Sequence, residues 1–375
     1  MKYTNLFLTA IAGIIITACS SDNEIKETPV SPSQEQVEIK LGSSVNAIAS
    51  TRALTVTPGD VIPTGQTVYT WIDDVGDPGN SIAASEHVSG WTLTADAQAT
   101  PGASQALNST GTTKYYYPST GRNINVYALH GNFNNAVTEG TTTWATFSTT
   151  LTHEVKKNQT GVAAAAPENY TDGYEKSDLY CAHLLNQAKT ATALQLPFKH
   201  VLSKIEVYLF RGTGVTGADI AGISSVTLKN VELTGDVTLS KPTVTTTPIA
   251  SVAVPATPNK GDITMKLQTD ASGVDKTTEV NALAGFAPDA GDKKAYAFAE
   301  AIIIPQAIGD TTTPTPANFI SVNFGAGGSL VAKVAQAFTA GNRYCYFIKV
   351  DRTGLQLTAT LSDWTSGGIT GGTAE

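Results

Sequence analysis

Three carboxylates fall within five residues, at Asp73, Asp74 and Asp77, and hard oxygen donors of this kind suit calcium. Their spacing fits no regular calcium loop. Gly76, Pro78 and Gly79 mark a tight turn, so a solvated turn is the expected role, and whether the three bind a cation stays open. The histidines, at His87, His130, His153, His183 and His200, lack ligand spacing and read as structural or surface groups. Gly325-Ala326-Gly327-Gly328 follows an apolar run but opens no helix, which favours a hairpin turn over a phosphate loop. No G-x-S-x-G, H-E-x-x-H or G-x-x-x-x-G-K-[S/T] pattern occurs. The expectation is a protein with no catalytic residues, no cofactor and no metal site.

The residues that promise chemistry lie at the amino terminus. Lys2 precedes the apolar run Leu6–Ala18, which at 13 residues is too short to span a ~30 Å hydrocarbon layer. It ends in Ile16-Thr17-Ala18-Cys19, which resembles a bacterial lipobox: a branched residue, two small ones, then the cysteine that receives diacylglycerol. Residues 1–18 therefore read as a lipoprotein signal peptide and Cys19 as the lipidation site, tethering the chain to the outer membrane. Residues 20–36, rich in Ser, Pro and Glu, read as a flexible linker. The acidic residues just after Cys19 resemble the surface-export signal of Bacteroidetes lipoproteins. Cys181 and Cys345 remain, with no C-x-x-C pair, and are expected as buried free thiols.

The framework that must position these groups reads as β-structure. The chain has 375 residues, 41% of them apolar and 15% charged, with a formal net charge of −8. An acidic chain without a basic cluster is a poor nucleic-acid binder. Strand-like runs recur between turn signals. They are Val37–Leu41, Thr67–Ile72, Lys114–Tyr117, Asn123–Leu129 and Thr143–Phe147, and then Val201–Phe210, Val226–Leu233 and Asp262–Leu267. Tyr296–Ile304, Phe319–Val322, Leu330–Val334, Tyr344–Val350 and Leu355–Leu361 complete the series. The best helical stretch is Ser177–Gln187. The stretches Thr234–Pro258 and Gly309–Pro316 look like exposed hairpins or loops, and a boundary is expected near 188–196. Many short strands without interleaved helices imply an all-β protein of antiparallel sandwiches.

Two regions resemble one family. Ser177-Asp178-Leu179-Tyr180-Cys181-Ala182 is followed by Leu196-Pro197-Phe198-Lys199-His200-Val201-Leu202-Ser203-Lys204-Ile205-Glu206-Val207. Near the end come Asn342–Val350, the turn Thr353-Gly354-Leu355 and Trp364-Thr365-Ser366-Gly367-Gly368. Both resemble signatures of the Bacteroidetes fimbrillins, subunits of surface pili. His200 and Lys204 read as a polar pair pinning the start of a strand. The resemblance implies two transthyretin-like β-sandwich domains in tandem, residues 53–192 and 193–375.

It further implies an arginine-specific protease that cuts between Arg52 and Ala53 and removes a lipidated propeptide, residues 19–52. That piece carries a strand whose Val37, Ile39 and Leu41 face one way, with Val45 and Ile48 extending the stripe. Its loss would open a groove for a strand donated by another subunit, of the same or a different kind. Leu355, Leu357, Ala359 and Leu361 alternate as a donor would. The expected product is a cell-surface fimbrium supporting adhesion or biofilm, with host or bacterial surface ligands. Alternatives are a tip or accessory adhesin, and a monomeric surface lipoprotein that stacks glycans on Tyr115–Tyr117, Trp71, Trp91 or Trp144. A secreted hydrolase would need paired carboxylates in a cleft.

Overall fold

Some strands are set by alternation, as at Gln105–Ser109 and Ser329–Val334, and others by near-continuous runs buried on both faces, as at Ser203–Arg211 and Lys294–Ile303. The computed structural model describes residues 36–45, 62, 64–75, 88–97, 104–160, 173–283, 285–289, 291–325, 328–351, 354–363 and 370–372. The first half carries β1 (Leu41–Val45), β2 (Thr67–Asp74), β3 (Val88–Ala95), β4 (Gln105–Ser109) and β5 (Ile124–His130). It continues with α1 (Trp144–Phe147), β6 (Thr152–Glu154), α2 (Gly173–Lys176), β7 (Tyr180–Gln187) and β8 (Leu194–His200). The second half holds β9 (Ser203–Arg211), α3 (Gly217–Ala221), β10 (Ser225–Glu232), β11 (Thr234–Leu239) and β12 (Ala250–Ala253). β13 (Lys260–Thr264), β14 (Lys266–Asp275), α4 (Thr277–Ala282), β15 (Lys294–Ile303) and β16 (Ala307–Ile308) follow. β17 (Ala317–Asn323), β18 (Ser329–Val334), β19 (Gln336–Ala337), β20 (Asn342–Asp351), β21 (Gly354–Asp363) and β22 (Thr370–Gly372) end the chain. The protein is all-β.

β1, β4, β3, β2, β5, β7 and β8 hydrogen-bond in that order and close on themselves. Closure depends on β1, which pairs antiparallel with β4 and parallel with β8. The interior is filled by Ile39, Leu41, Val68, Leu93, Leu107 and Phe198, among others. Sheet membership changes at Val201–Leu202, because β8 pairs with β1 and β7 while β9 pairs with β15 and β20.

The second half builds a six-stranded sheet, β14-β15-β9-β20-β21-β22, and a four-stranded sheet, β13-β10-β17-β18. β15 is buried from Ala295 to Ile303, which is why it reads as the unbroken run AYAFAEAII. Ile205, Val207 and Leu209 of β9 pack with Tyr344, Tyr346 and Ile348 of β20 in the larger core. That core also takes Trp71, Tyr127 and Leu129 from the barrel strands. A third small sheet, β12-β11-β6, joins a strand of the first half to a hairpin of the second.

Three elements differ from the sequence expectation. Ser177–Gln187 contains β7 rather than a helix: its residues 180–184 pair with β5, and both faces of Tyr180–His183 are buried. Pairing of this extent overrides local propensity. Thr143–Phe147 is a helical turn rather than a strand, because the Thr143 hydroxyl accepts from Thr146 N and caps it. Lys114–Tyr117 is not a regular strand, although Tyr116 forms a bridge to Glu38. Thr234–Pro258 forms the β11–β12 hairpin, and Phe324 N donates to Gly328 O in a turn joining β17 to β18.

Candidate functional site

The segment Val37–Val45 sits as a seam in the barrel wall. Ile39 N donates to Tyr115 O at 2.8 Å, and Tyr117 N donates to Val37 O at 3.0 Å. Leu194 N donates to Lys40 O at 2.9 Å, after which the strand runs between its two neighbours. Leu41 lies opposite Leu107 on one side and Leu194 on the other, and Val45 lies opposite Phe198. Ile39 and Leu41 are each 3% exposed and point into the core, with half-buried Val37 packed against it. This segment therefore supplies apolar side chains to the interior and backbone bonds to both edges.

Its polar half is as closely fitted. The Ser43 hydroxyl donates to Gln105 Oε1 at 3.0 Å in a buried setting. Gln105 Nε2 in turn donates to Ile62 O at 2.8 Å and to Asp96 O at 2.9 Å. A Cβ on Gly42 would lie 2.9 Å from the Gln105 carbonyl oxygen and 2.7 Å from the Gln195 side chain. Only glycine fits without displacing the β4 backbone. Sequence reading found the apolar stripe but missed Gln105, whose role depends on pairing across 62 residues. Cys19, Ile48, Arg52 and Ala53 lie outside the described residues, as do His87 and Asp77.

The carboxyl-terminal strand has a different setting. Leu355, Leu357, Ala359 and Leu361 lie on β21, which pairs with β20 from Gly354 to Asp363. On its other edge β21 pairs with the three residues of β22.

The family-like motif residues form two buried polar groups, one at the end of β8 and one on β9. His200 Nδ1 lies 2.8 Å from Asp178 Oδ2. Lys204 Nζ bonds Glu206 Oε1 at 2.9 Å and Glu300 Oε2 at 3.0 Å, so His200 and Lys204 have separate partners. The Tyr174 hydroxyl donates to Glu300 and the Tyr208 hydroxyl to Glu206. Burial works against ionisation of Glu206, but Lys204 and Arg343 hold its carboxyl down at about 2. For Glu300 burial prevails and the carboxyl is raised despite Lys204. Glu300 and Tyr174 escaped the sequence reading because neither falls in the contiguous motif.

Asp73 and Asp74 are buried on β2 and are not part of a solvated turn. Asp74 takes Arg122 Nε at 2.8 Å, and Asp73 takes Lys241, whose ammonium also lies over the Tyr127 and Trp144 rings. Among the described residues no three His, Cys, Asp or Glu side chains group as a metal site. His130, His153, His183 and His200 are all buried, and Cys181 and Cys345 are free thiols. Trp71, Trp91 and Tyr117 are core residues, and of the aromatics weighed for glycan stacking Tyr116 is the exposed one. Among the described residues no helix is long and apolar enough to cross a membrane.

Against known proteins, a family model described as fimbrillin-like matches residues 71–364. A candidate cell-adhesion protein of Bacteroides uniformis, known by crystal structure, superposes with a TM-score of 0.51 at 17% identity. The match covers 89% of this chain and 100% of that one. A second, from Bacteroides ovatus, superposes with a TM-score of 0.51 at 14% identity, covering 89% and 98%. At such identities the likeness concerns the fold. No curated protein matches the chain by sequence.

Proposed function

The chain belongs to the fimbrillin-like family, and we propose that it is a structural subunit of cell-surface fimbriae whose first strand is exchanged on assembly. It is exported as a lipoprotein acylated at Cys19 and held at the outer membrane. An arginine-specific protease cuts between Arg52 and Ala53, removing residues 19–52 and with them the Val37–Val45 seam. The vacated slot takes an extended segment of another subunit, of the same or a different kind, and the polymer supports adhesion.

One observation carries this reading: the segment that the cut would release is the one that closes the barrel. Ile39 and Leu41 each contribute about 1.5–3 kcal/mol by burial, and their removal would leave two open strand edges. An empty slot of that kind favours replacement by another strand through β-augmentation. Donation from Leu355, Leu357, Ala359 and Leu361 would require β21 to leave its ten-residue ladder with β20. The carboxyl-terminal donor therefore competes with the intact sheet.

The test is cleavage of the purified full-length chain by an arginine-specific protease, with amino-terminal sequencing and denaturant-resistant ladders as readouts. A new terminus at Ala53 together with ladders is the expected result, and Arg52→Ala should give neither. Ladders from Arg52→Ala, or a cut at Arg52 without any assembly, would overturn the reading.

A further inference from the structure

We propose that the slot occupied by β1 selects its occupant chemically: glycine at the position of Gly42, followed by a hydroxyl at the position of Ser43. This rests on the strand-exchange reading and specifies which strands the slot accepts.

The orientation of Gln105 is forced by its surroundings. Its amide nitrogen has two protons, and two backbone carbonyls, of Ile62 and Asp96, receive them at 2.8 and 2.9 Å. Turning the amide over would set its oxygen against both carbonyls. The acceptor Oε1 is thereby presented to the slot, in a residue only 2% exposed. An incoming strand must offer a donor there, and Ser43 does so at 3.0 Å. A strand with valine at this position leaves a buried acceptor unpaired. The preceding position is gated by volume, since any Cβ there meets the Gln105 backbone oxygen at 2.9 Å.

The two conditions act together to fix register. A one-residue slip turns every side chain to the other face. It would also place a side chain where Gly42 sits or remove the hydroxyl from Gln105. The preferred occupant is an extended segment reading apolar, any, apolar, glycine, hydroxyl, as Ile39-Lys40-Leu41-Gly42-Ser43 does.

The experiment uses the full chain with a site for a sequence-specific protease inserted between residues 46 and 61. After cleavage, competitor peptides spanning Gln36–Val45 displace a fluorescently labelled strand, read by anisotropy. The parent peptide should compete best and a Ser43→Thr peptide within about threefold of it. Ser43→Val and Gly42→Val peptides should each be weaker by about tenfold or more. In a Gln105→Leu protein the Ser43→Val peptide should overtake the parent. If that protein does not fold, the series on the unaltered protein still decides. Equal competition by all peptides would overturn the selectivity and leave strand exchange standing. Failure of every peptide, the parent included, would overturn strand exchange and the selectivity with it.

Discussion

Lys204 Nζ lies 3.0 Å from Glu300 Oε2, so an ammonium on β9 is held by a carboxyl on the neighbouring strand β15. The same ammonium reaches Glu206 Oε1 at 2.9 Å. All three side chains are at most 5% exposed. One cation thus serves two acids, and the acids are driven apart: Glu206 is held at about 2 while burial raises Glu300. Removing the cation should be severe. Lys204→Met is expected to cost about 3–5 kcal/mol, since two buried acids lose the ammonium that both contact. Urea unfolding checks this, and Lys204→Met/Glu206→Gln should recover part of the loss. A single-variant loss below about 1 kcal/mol would contradict this account.

A second prediction concerns pH. His153 Nδ1 accepts from Asn132 N at 3.1 Å, and its Nε2–H donates to Ser177 O at 2.9 Å, so the fold requires a neutral ring. Burial, only partly offset by Ser177, Asp178 and Glu154, lowers its pKa from 6.5 to about 4. Between these values the unfolded chain binds more protons than the folded one, so stability falls as pH drops from 6.5 to 4. The effect is on the order of 3 kcal/mol. His130 is lowered as well, first by burial, and adds a loss of the same sign. Glu206 adds a further loss below 4.5, toward about 2, whereas raised Glu300 acts in the opposite direction. Thermal unfolding at stepped pH should show the decline, flattened in His153→Gln. An unchanged slope in that variant would assign the effect elsewhere.

The readable parts of this fold were those in which the local period and the final environment agree. Val37–Leu41 alternates because one face enters the barrel, and Tyr344–Val350 alternates because Tyr344, Tyr346 and Ile348 share the main core. β7 was misread because its apolar spacing also suits a helix, and pairing with β5 decides the matter. Asp73 and Asp74 were misread because their partners, Lys241 and Arg122, lie 168 and 48 residues away. Barrel closure has the same origin: nothing near Leu41 announces Leu194 as its neighbour. Gln105 likewise looks like an ordinary polar residue until Ile62, Asp96 and Ser43 surround it.

The third prediction concerns the thiols. Burial pushes the Cys181 thiol up to about 11, and burial together with Glu206 raises Cys345 as well, with Cys345 donating to Glu206 Oε2 at 3.3 Å. Thiolate is the reactive form, so both should resist alkylation at pH 8 in the folded protein. In denaturant without reductant both should react at once. Mass spectrometry after iodoacetamide counts them, and a missing pair of labels would indicate a disulfide instead.

The last prediction follows from the position of β1, which among the described residues joins β4 to β8 in the barrel order. Leu41→Ala removes a side chain that is 3% exposed and lies opposite both Leu107 and Leu194. Such a truncation costs about 2–5 kcal/mol when the site cannot collapse. Here the loss should be felt locally first, because β1 can detach while β10, β17 and β18 keep their own sheet. Native-state hydrogen exchange is then expected to speed up at Leu41–Val45, Gln105–Leu107 and Leu194–Phe198. The amides of Val226–Leu228 and Ile320–Val322 should change little. Uniform acceleration across both groups would mean that β1 opens only with the whole molecule. In that case cutting the chain after it would unfold the subunit rather than prepare a slot, and strand exchange would have no folded acceptor to act on.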